Sequence, residues 1–267
     1  MLFNTPNFIK NMPLTRNAKI FISLGVIIPV LAIGTPLLTI NLVNKAKTIE
    51  FTLLNNAGVM IETKGVRIYI DPIDLPAEYA DLPADVVLIT HPHGDHYQTA
   101  SLDLIQKENT VYIFPDNMST EVALYNAIGV DPLDHIQIQH VNITAYYMYT
   151  LPVDIYPASH PAEANWTSYI INIDDFTFFH AGDSKNIVEY QQLVGDIDVA
   201  LLPLGPGCQT MADTEIVNVL NLIRPQYFIP IHYSVGADSN FVALYEHMIL
   251  YSAITRIAYW EMTTFRS

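Results

Sequence analysis

His91, His93, Asp95 and His96 are crowded into one short segment, Thr90-His91-Pro92-His93-Gly94-Asp95-His96. Imidazole nitrogen and carboxylate oxygen are donors that zinc, manganese and iron all accept. The apolar run at residues 86–90 reads as a buried strand that leads straight into the cluster. Alternate residues leaving a strand point the same way, so His91 and His93 could share one ion. Asp95 and His96 fall on the next turn and could face a second. Gly94 would permit a tight backbone path where a side chain might crowd the ions. A solvated histidine-rich surface loop is the plain alternative, but four ligand-type residues in this arrangement after a strand favour a metal site.

An ion of this kind needs about four donors, so distant residues must complete the set. Three positions qualify because each stands where an expected strand gives way to a loop. His160 follows a strand expected at 153–158, Asp183 follows one at 177–180, and His232 follows one at 227–231. Strand ends of this sort would converge at one edge of a sheet. His135, His140 and His247 lack such placement. His180 is intermediate, a candidate for holding a ligand by a hydrogen bond.

The elements that must position these residues are short. Runs at 49–54, 59–62 and 66–70 are rich in branched and aromatic residues and are separated by turn-forming Asn55-Asn56-Ala57-Gly58 and Thr63-Lys64-Gly65, the pattern of an antiparallel meander. Residues 102–107 and 120–128 read as helices around a strand at 111–114. The second half repeats the rhythm, with strands at 136–139, 143–149, 153–158, 169–173, 177–180, 199–202 and 227–231. Asp174-Asp175 is the expected hairpin turn, and a helix is expected at 187–194. The strongest helix is 213–223, capped by Asp213 and stopped by Pro225, with Ile216, Val217, Leu220 and Ile223 on one face. A closing helix is expected at 241–251. Two sheets with helices outside, an α+β layering, follow from this rhythm.

Residues 20–43 carry no charge and are mostly apolar, and about 20 such residues span a bilayer as a helix. They are expected to form a transmembrane anchor, with a cleaved signal sequence as the competing reading. Residues 1–19 would be a tail and 48–267 the globular domain that carries the cluster. Lys10, Arg16 and Lys19 ahead of the run, against Lys45 and Lys47 after it, lean towards a single-pass protein with its domain outside the cytoplasm. The sequons at Asn142 and Asn165 are compatible with that side. A formal charge of −15 over 267 residues argues against nucleic acid as the partner, since phosphate backbones need a Lys/Arg surface. The single cysteine, Cys208, excludes an intrachain disulfide and a cysteine-rich zinc knot.

On these motifs the chain resembles the metallo-β-lactamase superfamily, whose signature His-x-His-x-Asp-His is followed by a His, an Asp and a final His. Here they stand in order as His91, His93, Asp95, His96, His160, Asp183 and His232. It is more closely similar to the metal-dependent hydrolase branch that also contains the L-ascorbate-6-phosphate lactonases. That similarity rests on the stretch from Gly58 to Pro72, on Ala200-Leu201-Leu202-Pro203-Leu204-Gly205, on Thr210-Met211 and on Ile229-Pro230-Ile231-His232-Tyr233. The resemblance implies a four-layer αββα sandwich with the site at one sheet edge. It implies that His91, His93 and His160 hold a first metal, that Asp95, His96 and His232 hold a second, and that Asp183 bridges them. The N-terminal apolar run is a departure from the small soluble members.

The chemistry expected is hydrolysis of an ester, lactone or phosphodiester bond in a small molecule. Two divalent ions, zinc first with manganese or iron as alternatives, would stand about 3.5–4 Å apart, activate water and polarise the substrate. Asp95 would orient or deprotonate that water, and Asp95 and His232 are the candidate catalytic residues. Cys208 is expected to be a packing or loop-lining residue, and the Gly205-Pro206-Gly207 loop to lie near the site. A diiron redox protein on the same fold is the alternative, opposed by His93, where such proteins usually carry Glu. An inactive membrane-anchored binding protein is opposed by the complete ligand set.

Overall fold

The computed structural model describes residues 48–267. The expected tail and the expected membrane anchor at residues 20–43 lie outside them. Among the described residues no helix is long and apolar enough to cross a membrane.

The first half of the described chain contributes β1 (Thr48–Leu53), β2 (Val59–Thr63), β3 (Val66–Ile70), β4 (Val86–Leu88), β5 (Val111–Pro115) and β6 (Ile128–Val130), with helices α1 (Thr99–Ile105) and α2 (Ser119–Tyr125). The second half contributes β7 (His135–Ile138), β8 (Val141–Tyr147), β9 (Thr167–Ile173), β10 (Phe176–His180), β11 (Val199–Pro203) and β12 (Tyr227–Ile231), with α3 (Asp213–Ile223) and α4 (Ala237–Tyr245). Two strands close the chain, β13 (Ala253–Ile254) and β14 (Met262–Arg266). They form two seven-stranded sheets, ordered β14-β1-β2-β3-β4-β5-β6 and β13-β12-β11-β10-β9-β8-β7.

The expected rhythm of two similar halves is visible in the pairing. Each sheet has an antiparallel part, β1-β2-β3 in one and β7-β8-β9-β10 in the other. Each continues as parallel strands, β3-β4-β5-β6 and β10-β11-β12-β13. Parallel neighbours all end on the same side, so the loops after β3, β4, β10 and β12 leave the sheets together. One apolar cluster lies between the sheets, with Phe51, Ile68 and Leu88 from one and Tyr169, Phe178 and Ile229 from the other. Phe51 and Phe178 stack across it at 6.1 Å. A second cluster joins the outer face of one sheet to α3 and α4, and a third joins the other sheet to α1 and α2. Helix, sheet, sheet, helix is therefore the layer order.

Several expected elements are corrected. Residues 153–158 form no strand but a tight reversal closed by Val153 and Tyr156. Pro152 and Pro157 remove ladder donors there, Asp154 takes a left-handed φ of 52°, and Ile155 is 88% exposed. The helix expected at 120–128 stops at Tyr125, where Asn126 turns left-handed, and Ile128–Val130 is a strand instead. The segment at 187–194 is a 3-10 turn, Val188–Leu193. Asp213 is the first residue of α3 rather than its cap; the Ala212 N–H is met by the Glu215 carboxylate at 2.9 Å. The closing element is not a helix over 241–251. The helix ends at Tyr245, and β14 crosses back to pair antiparallel with β1.

Four hydrogen bonds tie the two sheets together at the end where the loops emerge. The Tyr169 hydroxyl donates to the Ile89 carbonyl at 2.8 Å, and the Thr167 N–H to the Thr90 carbonyl at 3.1 Å. The His232 N–H donates to the Asn56 carbonyl at 3.1 Å, and His180 Nε2 lies 2.8 Å from the Ala57 carbonyl. A buried acceptor left without its donor costs about 1–3 kcal/mol. Tyr169→Phe should therefore lower the urea unfolding free energy by about that amount, read as a lower midpoint at an unchanged slope.

Candidate metal centre

Each expected ligand is placed by a strand end or by a loop fastened to one. His91 to His96 follow β4. Asp183 follows β10, and His232 follows β12 with a left-handed φ of 53°. His160 does not end a strand, contrary to expectation. It is held in a loop instead, its N–H donating to Thr150 Oγ1 at 3.0 Å and its carbonyl accepting from the Thr150 N–H at 2.8 Å. All seven residues come together. They form three overlapping groups: His91, His93 and His160; His91, His96 and Asp183; and Asp95, His96 and His232. Within each group the ligand atoms lie within 4.8 Å of one another.

The Asp183 carboxylate sits at the middle. Its Oδ1 is 3.1 Å from His96 Nε2, and its Oδ2 is 3.3 Å from His232, 3.5 Å from His160 and 3.9 Å from His91, each measured to Nε2. His91 and His160 bring their Nε2 atoms within 3.2 Å of each other. Asp95 Oδ2 lies 3.2 Å from His232 Nε2 and 3.9 Å from His96 Nε2. Both Asp183 oxygens and His96 Nε2 are buried with no hydrogen-bond partner. Buried polar atoms are almost always satisfied. Three unsatisfied ones aimed at a common space, all of ligand type, fit a bound cation.

The tautomers agree. Thr90 Oγ1 donates to Asp71 Oδ2 at 2.6 Å, so its oxygen accepts from His91 Nδ1–H at 2.9 Å. His96 Nδ1–H donates to the same Asp71 oxygen at 2.8 Å. Ser159 Oγ donates to the Cys208 carbonyl and so accepts from His160 Nδ1–H at 3.0 Å. Each chain of bonds puts a proton on Nδ1 and leaves Nε2 as the atom that faces the cluster, the one a metal would take. Burial, then the neighbouring imidazoles, hold His91 well below the usual histidine range. Burial likewise takes His160 down to about 4, against the pull of Asp183. For His96 burial is outweighed by Asp183 and Asp71, which push it up to about 10. Asp95 is held well below the usual carboxylate range, first by its hydrogen bond with His232.

Two positioning residues were not evident from the sequence. Asp71 was legible only as part of a motif. It is fully buried, and its other oxygen takes the Thr90 N–H at 2.8 Å. In the sequence Asn56 is marked only as part of a turn. Its Nδ2 donates to the Asp95 carbonyl at 2.9 Å while its own carbonyl holds His232. His180 holds no ligand by a hydrogen bond, contrary to expectation: its Nδ1 accepts the Gly182 N–H at 3.2 Å, one residue before Asp183. The glycine that the site needs is Gly182, at φ 55°, where a Cβ would fall 2.5 Å from Met148 Sδ and 3.2 Å from Thr90. Gly94 has no protein atom within 4 Å of where a Cβ would stand. His135 is on the exposed edge strand β7, bonded to Thr144. A cleft of about 370 Å³ opens beside Asp95 and His232, walled by Asn56, Gly205, Pro206 and Tyr233. Cys208 is exposed and does not line it.

The sequence profile described as the beta-lactamase superfamily domain matches residues 50–232. The chain belongs to the beta-lactamase superfamily. Within the superfamily it is 32% identical over 186 residues to a UPF0173 protein of Pyrococcus abyssi, covering 67% of this chain and 80% of that one. It is 27% identical over 200 residues to a UPF0173 metal-dependent hydrolase of Thermococcus kodakarensis, covering 70% and 85%. Among solved structures it is similar in fold to Igni18, a metallo hydrolase of Ignicoccus hospitalis, with a TM-score of 0.69 at 22% identity, over 82% of this chain and 99% of that one. The geometry makes Asp71 a sensitive position. Asp71→Asn offers one N–H₂ where two acceptor oxygens are needed, so His96 or Thr90 loses its partner. Affinity for a divalent cation, measured by chelator competition, should fall about 10–100-fold, with far-UV circular dichroism unchanged.

Proposed function

We propose that the chain is a metal-dependent hydrolase that uses two divalent ions to direct water at an ester, lactone or phosphodiester bond of a small molecule. The observation that carries this reading is the buried Asp183 carboxylate, whose two oxygens face His96 on one side and His91, His160 and His232 on the other. His91, His93 and His160 would hold one ion, Asp95, His96 and His232 the other, with Asp183 shared between them. The nitrogen-rich donor set suits zinc first, and manganese or iron as well. When bound, such a pair lowers the pKa of water and polarises a substrate oxygen.

The chain's own residues supply the rest. Asp95 is half exposed at the cleft and is kept as a carboxylate by His232, so it is free to orient water or accept its proton. Asn56 fixes the backbone of Asp95 and that of His232 at once, which holds the two proposed catalytic groups in register. His91 and His160, buried and neutral, keep their Nε2 lone pairs for ligation. The Gly205-Pro206-Gly207 loop and Tyr233 wall the cleft in which a small substrate would lie against Asp95 and His232.

Full-chain protein stripped and reconstituted with zinc should bind two ions and hydrolyse at least one compound in a panel of phosphodiesters, lactones and thioesters, with loss of activity on chelation. Asp183→Asn should lower kcat/KM by about a hundredfold or more. Two tightly held irons with an oxygen-reactive spectrum would point to redox chemistry instead, and an Asp183→Asn variant with full activity and full metal content would sink the assignment.

A further inference from the structure

Trp166 stands one residue ahead of β9, and its indole packs against three imidazoles at once. The ring centroids are 5.2 Å from His93, 5.5 Å from His91 and 5.5 Å from His160. The three histidines also pack on one another, at 4.7, 4.7 and 4.8 Å. Most of these contacts are edge-to-face, an arrangement that the ring quadrupoles favour. The backbone secures the position, because the neighbouring Thr167 N–H donates to the Thr90 carbonyl. The indole Nε1 is buried and has no acceptor among the described residues. No hydrogen bond therefore holds the ring where it is, and contact with the imidazoles does. His93 is in the same position. His91, His96 and His160 each have Nδ1 fixed by a hydrogen bond, whereas the orientation of His93 rests on His91, His160 and Trp166.

The two sides of the cluster differ in access. His91 and His160 are fully buried and His93 is half-buried, with Trp166 packed against all three. In the other group His96 is buried, but Asp95 and His232 line the open cleft. The apolar shell of a metal site controls the access of solvent to it. We infer that Trp166 is a positioning residue that caps the His91–His93–His160 group, orders His93 and shuts solvent from an ion held there. An ion on that group exchanges slowly, and an ion on Asp95, His96 and His232 exchanges freely through the cleft. The inference rests on the two-ion reading proposed above.

The test is the release of zinc from the reconstituted full chain into excess EDTA, followed as residual metal content. The expected result is two phases of one equivalent each, separated in rate by about tenfold or more. Trp166→Ala should abolish the slow phase, and Trp166→Phe, which keeps a flat ring on the histidines, should restore it. The chain has two tryptophans, and the other, Trp260, packs on Tyr79. In a Trp260→Phe background the emission of Trp166 should change with the slow phase and not with the fast one. Loss of two equivalents in a single phase overturns the inference while leaving the two-ion reading intact, as does a slow phase that Trp166→Ala retains. Uptake of one ion or none contradicts that reading and this inference with it. Should Trp166→Ala fail to fold, the two phases and the emission of the Trp260→Phe protein still decide the matter.

Discussion

A carboxylate sealed among imidazoles is the constraint on which the rest of this structure depends. Asp183 is fully buried, and neither of its oxygens has a hydrogen-bond donor. An isolated buried charge is costly enough that proteins neutralise it or pair it. Here the available partners are His96, His91, His160 and His232, and two of these are themselves driven neutral by burial. A pair of cations would satisfy Asp183, Asp95 and the bare Nε2 lone pairs together. The cluster is thus a set of groups that the fold brings together against their mutual preference for water.

Holding such a set needs a rigid frame, and the frame is the pair of sheets. Their parallel strands deliver four loops to the same edge, and four hydrogen bonds sew the loops of one sheet to the other. Asp71 then works at a finer scale. One oxygen receives the Thr90 N–H, and the other receives Thr90 Oγ1 and His96 Nδ1. One buried carboxylate thereby sets the tautomer of His96 directly and that of His91 through Thr90. Gly182 completes the frame, since the close approach of Met148 and Thr90 leaves no room for a side chain.

The ligands were legible in the sequence because their types are rare together. His91, His93, Asp95 and His96 announce themselves within one segment, and His160, Asp183 and His232 follow in an order that matches a known signature. The positioning residues were less legible for a physical reason. Asp71, Asn56 and Trp166 are ordinary residue types whose role arises only from a neighbour distant in the chain. Asp71 meets His96, Asn56 meets Asp95, and Trp166 meets His91 and His93 only after the sheets have packed. No strand forms at 153–158 because Pro152 and Pro157 forbid a ladder that the β-branched and apolar residues between them would otherwise favour. The C-terminal strand β14 went unseen because its partner is β1, at the far end of the described chain, and a pairing of that span leaves no local periodicity.

The account stands most directly on where cations settle. Anomalous scattering at the zinc edge, from crystals of the zinc-loaded full chain, measures it without reference to activity. Two peaks are predicted, one among His91, His93 and His160 and one among Asp95, His96 and His232, with the Asp183 carboxylate between them. A single peak, or peaks that leave Asp183 without a cation beside it, would contradict the account.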